Sequence, residues 1–285
     1  MAARITERAG GVIVNADSAQ VYADLRVVSA RPSEADERAL PHRLFGYIDG
    51  GEACSAARWA RDAKTALAEI HAKGRIPILV GGTGLYQRTL LEGIAPIPDI
   101  DTEIRAAVRV LPVAQAYAAL EREDPMAAAR LAAGDTTRVV RALEVVRSTG
   151  ATIGKWRRRK SGGIAEAIDL VPCVLLPDRE WLYERCDRRF AAMFDEGAIA
   201  EVEALLARRL DPALPVMRAI GVREIAAFLT GKCGRDEAIA AAALATRRYA
   251  KRQYTWFAHQ CPAAWPRINE TEYDYIADTL ATKLR

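Results

Sequence analysis

The sequence lacks the marks of several common classes of protein. Its 285 residues contain five cysteines and three histidines, no two cysteines form a Cys-x-x-Cys pair, and no zinc-ligand spacing is recognisable. No apolar run approaches the length that spans a membrane, and residues 1–8 mix charges at helical spacing instead of forming a secretory signal. We therefore expect a cytoplasmic protein that has no membrane contact and keeps its cysteines reduced.

Two common phosphate-binding motifs are missing as well. Neither G-x-x-x-x-G-K-S/T nor G-x-G-x-x-G occurs anywhere in the chain. The composition that is present is ordinary for a globular protein, with 51% hydrophobic residues, 27% charged residues and a net charge of +4. A charge of this size does not separate a nucleic-acid-binding protein from a slightly basic enzyme.

Two short apolar segments are typical of buried parallel strands. Residues 12–14 and 78–80 consist of valine, isoleucine and leucine, and a glycine borders each segment. Between them Trp59, Ala66 and Ile70 recur at helical spacing. The sequence thus predicts a right-handed β-α-β unit.

Helical sequence rich in alanine and arginine interrupts this pattern. We therefore predict an α/β core formed by residues 1–98 and 164–285, with a helical insertion at residues 99–163. The helical stretches within the insertion are residues 102–109, 114–122, 126–132 and 135–148.

Strand-like sequence returns after the insertion, at residues 171–176, and we expect this segment to rejoin the core. A helix follows it, with Leu182, Cys186 and Phe190 on one face. Two more helices, a polar tail from Asn269 onwards and no further strand complete the prediction. These later helices lie near residues 222–229 and 236–257.

Polar side chains follow each of the first two predicted strands. Asp17 lies in the segment 15–22, where an aspartate can bind Mg²⁺, accept a proton or cap a helix. Capping is the commonest of these roles, but the dense polar sequence around Asp17 favours a functional one. The glycines around Thr83, at residues 81–84, either offer free N–H groups to an anion or a nucleobase, or form a tight turn.

Basic residues cluster in three places. Between residues 138 and 160 only Glu144 opposes eight basic residues, which fits either a solvated helix face or an anion-binding surface. Arg218 and Arg223 flank Gly221, an arrangement suited to phosphate recognition or to ordinary surface charge. In the last long helix Arg247 stacks over Lys251, and Arg248 over Arg252, which costs stability unless an anion lies alongside.

Taken together and in this order, these segments resemble the tRNA dimethylallyltransferase family, also called the isopentenyl-diphosphate:tRNA transferases. The resemblance spans nearly the whole chain. The matching motifs are VNADSAQVY at 14–22, ARP at 30–32, PH at 41–42, PILVGGTGLY at 77–86, EG at 92–93, RVVRALE at 138–144, MRAIGV at 217–222 and ATRRYAKRQ at 245–253.

The resemblance implies a nucleotide-binding, P-loop-kinase-like parallel sheet flanked by helices, with an inserted helical domain that grips the anticodon stem-loop of tRNA. It implies transfer of a dimethylallyl group from dimethylallyl diphosphate, with Mg²⁺, to N6 of the adenosine beside the anticodon, position 37, in tRNAs that read codons beginning with U. The enzyme is expected to be a monomer.

The resemblance also assigns roles to particular residues. Asp17 is expected to be the general base, Thr83 to contact the flipped adenosine, and Arg218 to hold the diphosphate. The residues expected to contact tRNA are Asp17, Ser18, Ala19, Gln20, Thr83, Arg105, Thr137, Arg138, Val139, Val140, Arg141, Arg218, Ala219, Ile220, Gly221, Val222, Arg223, Arg247, Arg248, Lys251 and Arg252.

The chain departs from the family at its beginning. In the family a strand and a P-loop precede the first helix, whereas residues 1–10 here match by character the end of that helix, so the first strand and the P-loop are expected to be missing. This leaves two alternative functions open. One is a catalytically inactive tRNA-binding remnant, and the other is an adenylate isopentenyltransferase, against which the helical insertion argues.

Overall fold

The computed structural model describes residues 1–269 and 274–284. It is an α/β structure in which helices greatly outnumber strands. Its helices and strands are α1 (Ala2–Ala9), β1 (Val12–Asn15), α2 (Glu34–Ala39), β2 (His42–Arg43), α3 (Ala56–Ala72), β3 (Pro77–Val80), α4 (Gly84–Glu92), α5 (Thr102–Arg109), α6 (Val113–Glu123), α7 (Pro125–Ala128), α8 (Thr136–Thr149), α9 (Ile153–Arg157), β4 (Val174–Leu175), α10 (Arg179–Asp195), α11 (Ala198–Ala207), α12 (Val222–Leu229), α13 (Arg235–Gln260), β5 (Arg267–Ile268) and α14 (Asp274–Lys283).

The chain divides into two compact units. Unit 1 comprises Met1–Arg88 and Asp169–Arg285, and unit 2 comprises Thr89–Ile168. Helix α4 contains the first boundary between them. None of the described helices combines the length and the apolar character that crossing a membrane requires.

The central sheet of unit 1 is parallel and has the strand order β2-β1-β3. Every residue of β1 is buried, which explains its unbroken apolar sequence before Asn15. Strand β3 lies at the edge of the sheet, where the missing N–H of Pro77 is tolerated. As predicted, β1 and β3 are parallel neighbours with α3 between them in the chain, and α3 buries Trp59. Helix α2 and the short strand β2 precede α3, and the right-handed crossover stays a prediction.

The later part of unit 1 differs from the prediction in two ways. The predicted strand at 171–176 lies in unit 1, as expected, but as the two-residue β4, which pairs in parallel with the unpredicted β5 instead of joining the central sheet. The expected polar tail contains α14, which buries Ile276, Ala277 and Ala281. Ala277 and Ala281 pack against Ile5 of α1, a contact between distant parts of the chain that the local sequence does not show. Residues 270–273 and 285 of the predicted tail lie outside the described residues.

Unit 2 is built from helices whose core includes Val108, Leu120, Val139 and Leu143. The predicted helix at 102–109 is confirmed, whereas the one at 126–132 is the shorter α7 followed by turns. Helix α9 was not predicted; Thr152 caps its first turn by accepting a hydrogen bond from the Lys155 N–H.

The basic residues of unit 2 have more acidic partners than the sequence suggested. Buried Glu144 accepts a hydrogen bond from Arg109 Nε at 2.9 Å and lies 3.6 Å from Arg141. Carboxylates from outside residues 138–160 also oppose the basic run. Their pairs are Arg138 with Asp135 at 3.5 Å, Arg147 with Glu123 at 2.7 Å and Lys160 with Glu92 at 2.6 Å.

Helix α11 fastens the loop that follows β1. The carboxylate of Glu201 accepts hydrogen bonds from three consecutive main-chain N–H groups, those of Arg26, Val27 and Val28, the last two at 2.9 and 2.8 Å. Just beyond the same helix, Arg208 forms ion pairs with Asp24 and Asp49. These contacts join segments far apart in sequence, and α11 itself was not predicted.

We expect Glu201→Ala to lower the free energy of unfolding by about 2 kcal/mol, because it leaves three partly buried N–H groups without their charged acceptor. Urea denaturation measures the change. The exposed Glu203 of the same helix provides the control, and Glu203→Ala should change stability by less than about 0.5 kcal/mol. Equal effects of the two substitutions would contradict a special role for the Glu201 carboxylate.

Candidate active site

The carboxyl ends of β1 and β3 are joined by main-chain hydrogen bonds. The Ala16 N–H donates to Val80 O at 2.7 Å, and the Thr83 N–H donates to Ala16 O at 3.2 Å. A Cβ at position 81 would overlap the backbone of Ala16, so this approach requires glycine. The two polar segments that the sequence placed after these strands therefore lie against each other.

Asn15 shapes the turn that presents Asp17. Its side chain is fully buried. Its Oδ1 accepts the Asp17 N–H at 2.8 Å, while its Nδ2 donates to Asp17 O and to Leu44 O, both at 3.0 Å. The amide thus fixes the backbone on both sides of Asp17. Asn15 was not among the predicted site residues, although an asparagine ending a buried strand was a visible signal.

Thr83 and Ser18 connect the two segments through their side chains. Thr83 Oγ1 accepts a hydrogen bond from the Ser18 N–H at 2.9 Å and donates one to Ser18 Oγ at 3.2 Å. Asp17 precedes Ser18 directly, so the structure places the carboxylate and the threonine hydroxyl in one small region. Two of the three residues with expected catalytic roles, Asp17 and Thr83, are therefore brought together.

The carboxyl group of Asp17 is partly buried, and this burial raises its pKa above the ordinary aspartate value. Three main-chain N–H groups, those of Ala19, Gln20 and Gly82, and the positive charge of Arg189 oppose the rise. The Ala19 N–H donates to Asp17 Oδ1 at 2.8 Å. The result is a fixed carboxyl group whose proton affinity is shifted toward that of a useful general base.

Helix α13 covers the glycine loop at residues 81–84. Gln253 Nε2 donates a hydrogen bond to Gly82 O at 2.9 Å, and a Cβ at position 82 would overlap this amide. A Cβ at position 84 would overlap the ring of Trp256. Burial raises the pKa of the Tyr249 phenol, on the same helix, above its ordinary value. Neither Tyr249 nor Gln253 was among the predicted site residues.

Of the other residues near β1 that were predicted to contact tRNA, Gln20 makes hydrogen bonds within the protein. Gln20 Nε2 donates to the carbonyl oxygens of Ser29 and Ala30, at 3.1 and 3.0 Å, so its amide holds the loop that Glu201 also fastens. Ala19 and Ser18 remain partly exposed.

The segment around Gly221 contains two exposed arginines, Arg218 and Arg223. Gly221 has a φ of +101°, and a Cβ there would lie 3.0 Å from atoms of Phe190 and Val28. Within the described part of the chain, neither arginine makes a hydrogen bond or an ion pair with Asp17 or Thr83. Of the remaining predicted residues here, Ala219 and Ile220 are partly exposed and Val222 is buried.

An acidic side chain of the protein lies beside the basic residues that were predicted to stack on α13. Arg247 forms an ion pair with Asp187 of α10, and the Arg252 guanidinium lies 5.5 Å from the centre of the Tyr249 ring. Arg248 and Lys251 are exposed. The like charges are therefore partly compensated inside the chain.

The predicted tRNA contacts of unit 2 differ in exposure. Thr137, Arg138 and Arg141 are exposed on α8, whereas Val140 is partly buried and the Val139 side chain belongs to the core. Arg105 is partly buried, and its Nε has no hydrogen-bond partner. Their contact with RNA stays a prediction.

Metal ligands are sparse near the candidate site. Within residues 1–269 and 274–284, no three histidine, cysteine, aspartate or glutamate side chains come together to hold a metal ion. The five cysteines are all free thiols, of which Cys186 and Cys261 are buried.

Comparison with known proteins identifies the family. The family model for IPP transferase matches residues 20–260. The tRNA dimethylallyltransferase of Sphingopyxis alaskensis is 64% identical over 275 residues, which cover 96% of this chain and 90% of that protein.

Solved structures agree with this result. The tRNA isopentenylpyrophosphate transferase of Bacillus halodurans is 31% identical, with a TM-score of 0.68 over 99% of this chain and 91% of that one. A eukaryotic dimethylallyltransferase acting on tRNA is 25% identical, with a TM-score of 0.73 over 90% of this chain and 65% of that one. The predicted α/β fold, a small parallel sheet flanked by helices, is confirmed, and the chain belongs to the IPP transferase family, the tRNA dimethylallyltransferases.

Proposed function

We propose that this chain transfers the dimethylallyl group of dimethylallyl diphosphate to N6 of the adenosine beside the anticodon in tRNAs that read codons beginning with U. The product is N6-(dimethylallyl)adenosine. The observation that carries the proposal is the partly buried Asp17 carboxyl group at the carboxyl ends of β1 and β3, bound by main-chain N–H groups and followed by Ser18, whose N–H binds the Thr83 hydroxyl. Ligands of open α/β sheets bind at this edge.

The chemistry requires a base because an exocyclic aromatic amine is a weak nucleophile. A bond forms between N6 and the first carbon of the dimethylallyl group, the bond from that carbon to the diphosphate oxygen breaks, and the N6 proton passes to Asp17. The diphosphate leaves with the electron pair of the broken bond. Thr83 is placed to contact the adenosine through its hydroxyl, and Asn15 keeps the Asp17 backbone from turning away.

The departing diphosphate needs positive charge around it. Arg218 is exposed and is our candidate for this contact. Magnesium, when bound, would neutralise part of the diphosphate charge. Because the described residues contain no set of three acidic, histidine or cysteine ligands, the chain fits Mg²⁺ only as an ion held mainly by phosphate oxygens and water, with the Ser18 hydroxyl as a candidate protein oxygen.

The tRNA substrate must present its adenosine outside the base stack, which costs a few kcal/mol and is offset by contacts to the RNA backbone. We assign these contacts to the exposed cations of the predicted set. They are Arg138 and Arg141 in unit 2 and Arg218, Arg223, Arg248, Lys251 and Arg252 in unit 1. The proposal places the enzyme in the cytoplasm, where its tRNA substrates are, and as a monomer.

We expect the purified chain to transfer a labelled dimethylallyl group to tRNA with Mg²⁺ present, and Asp17→Ala to lower turnover by about two orders of magnitude or more. The tRNA dissociation constant should change little, because binding rests on the distributed cations. Asp99→Asn, which alters an exposed carboxylate of unit 2, is the control and should retain full turnover.

The same assay distinguishes the alternatives. Binding of the anticodon stem-loop that weakens steeply with salt, without any transfer, would identify an inactive tRNA-binding remnant. Transfer to free AMP but not to tRNA would identify an adenylate isopentenyltransferase. Unchanged turnover of Asp17→Ala would remove this residue from the mechanism.

The pH dependence of kcat/KM should show the raised pKa of Asp17. The ionised carboxylate is the active form, so the rate falls as the pH drops through that pKa, and the fall begins at a higher pH than for an ordinary aspartate. Because the charge of Arg189 lowers the pKa of Asp17, Arg189→Met should move the acid limb to still higher pH. Arg188→Met, an exposed neighbour, is the matched control. An acid limb that stays in place in Arg189→Met would argue that another group titrates.

A further inference from the structure

Two glutamine side chains bind the main-chain carbonyl groups of the glycine pair that precedes Thr83. Gln87 Nε2 of α4 donates a hydrogen bond to Gly81 O at 3.0 Å, and Gln253 Nε2 of α13 donates one to Gly82 O at 2.9 Å. Each carbonyl oxygen of the pair therefore has a donor from a neighbouring helix, which holds it in one direction.

The hydrogen bond from Gln253 orients more than a carbonyl group. A peptide unit is planar and trans, so its C=O and N–H point in opposite directions, and fixing one of them orients the other. The carbonyl of Gly82 and the N–H of Thr83 belong to the same peptide unit, and this N–H donates to Ala16 O at 3.2 Å. Gln253 thus holds one end of the unit, and the backbone of Ala16 holds the other.

The Gly82–Thr83 peptide unit needs this support. Glycine has no Cβ and reaches backbone conformations that other residues avoid, so the unit can rotate at low cost. The bond to Ala16 O, at 3.2 Å, is at the long end of the normal range for hydrogen bonds. Rotation of the unit would break that bond and move the Thr83 side chain, whose hydroxyl accepts the Ser18 N–H at 2.9 Å.

We propose that Gln253 is a positioning residue for the transfer reaction, whose amide locks the Gly82–Thr83 peptide unit and so keeps the Thr83 hydroxyl beside Ser18. The consequence for catalysis rests on the proposed function, because small misplacements of a reacting contact lower rates substantially. Gln253 has no assigned contact with either substrate and acts through this peptide unit.

The packing of α13 suits this role. Trp256 lies three residues from Gln253, on the same side of the helix, and its ring lies directly against Gly84. The guanidinium of Arg88 lies 6.0 Å from the centre of the same ring, which adds a cation–π contact. Because a Cβ at position 82 would overlap the amide, glycine at this position also leaves room for Gln253. The helix is therefore held on the glycine loop at two places.

A double-mutant cycle tests the proposal in the full chain. Gln253→Met removes the amide at nearly constant side-chain length, and Thr83→Val removes the hydroxyl that the amide keeps in place. We expect Gln253→Met to lower the single-turnover rate about tenfold at saturating tRNA and dimethylallyl diphosphate, which is the scale of one lost hydrogen bond. Because Gln253 acts through the position of Thr83, the double variant should be no slower than Thr83→Val alone.

The control is Gln260→Met, which changes an exposed glutamine in the last turn of the same helix and should leave the rate unchanged. Gln253→Met should keep the wild-type tRNA affinity within about twofold. Weaker tRNA binding with an unchanged single-turnover rate would identify Gln253 as a tRNA contact and overturn the proposal. Independent, multiplicative losses in the double variant would overturn it as well.

A second measurement does not depend on activity. The Thr83 amide donates to Ala16 O, so its hydrogen exchange in the tRNA-free chain reports whether the peptide unit is held in place. Exchange should be faster in Gln253→Met than in the wild type and unchanged in Gln260→Met. A wild-type chain that transfers nothing to tRNA would defeat the proposed function, yet the exchange rates would still decide whether Gln253 locks the peptide unit. Equal exchange in Gln253→Met and the wild type would show that it does not.

Discussion

The close approach of residue 81 to the backbone of Ala16 is the constraint on which the candidate site depends. At this point the two strands end side by side, and the space between them excludes even a single Cβ atom. The approach brings Thr83 N–H to Ala16 O and places the threonine hydroxyl against Ser18. Backbone contact thus brings together the segments of Asp17 and Thr83, the pair to which we assign catalytic roles, although the two residues are far apart in sequence.

A second layer of contacts holds the backbone of these segments. Asn15 fixes the turn at Asp17, Gln20 binds the loop at Ser29, and Glu201 binds the same loop from α11. Helix α13 closes the glycine loop through Gln253. The side chains of Asn15, Gln20, Glu201 and Gln253 all bind main-chain atoms, whereas Ser18 and Thr83 bind each other through their hydroxyl groups.

The sequence predicted the parts of this arrangement that have a local pattern. Strands β1 and β3 are continuous apolar runs and α3 has helical periodicity, so the sequence placed a polar segment after each of the two strands. The link between Asp17 and Thr83 came only from the family resemblance. The roles of Glu201 and Gln253 did not follow, because a glutamate or glutamine on a helix has the same local pattern whether it faces solvent or a distant loop. The pairing of β4 with β5 was missed for a similar reason, since two-residue strands carry no periodicity. The sequence also overstated the unpaired positive charge of the basic run in unit 2, because its partners Glu123 and Glu92 come close to it only in the folded chain.

The burial of Asp17 has a consequence for the stability of the folded chain. A carboxyl group whose pKa is higher in the folded than in the unfolded state favours folding in its protonated form. Its contribution is fully present below the unfolded pKa and is lost as the pH rises through the folded pKa. The pH range in which Asp17 is ionised and able to accept a proton is therefore the range in which it stabilises the fold least. At this one residue, catalytic competence and conformational stability respond to acidity with opposite signs.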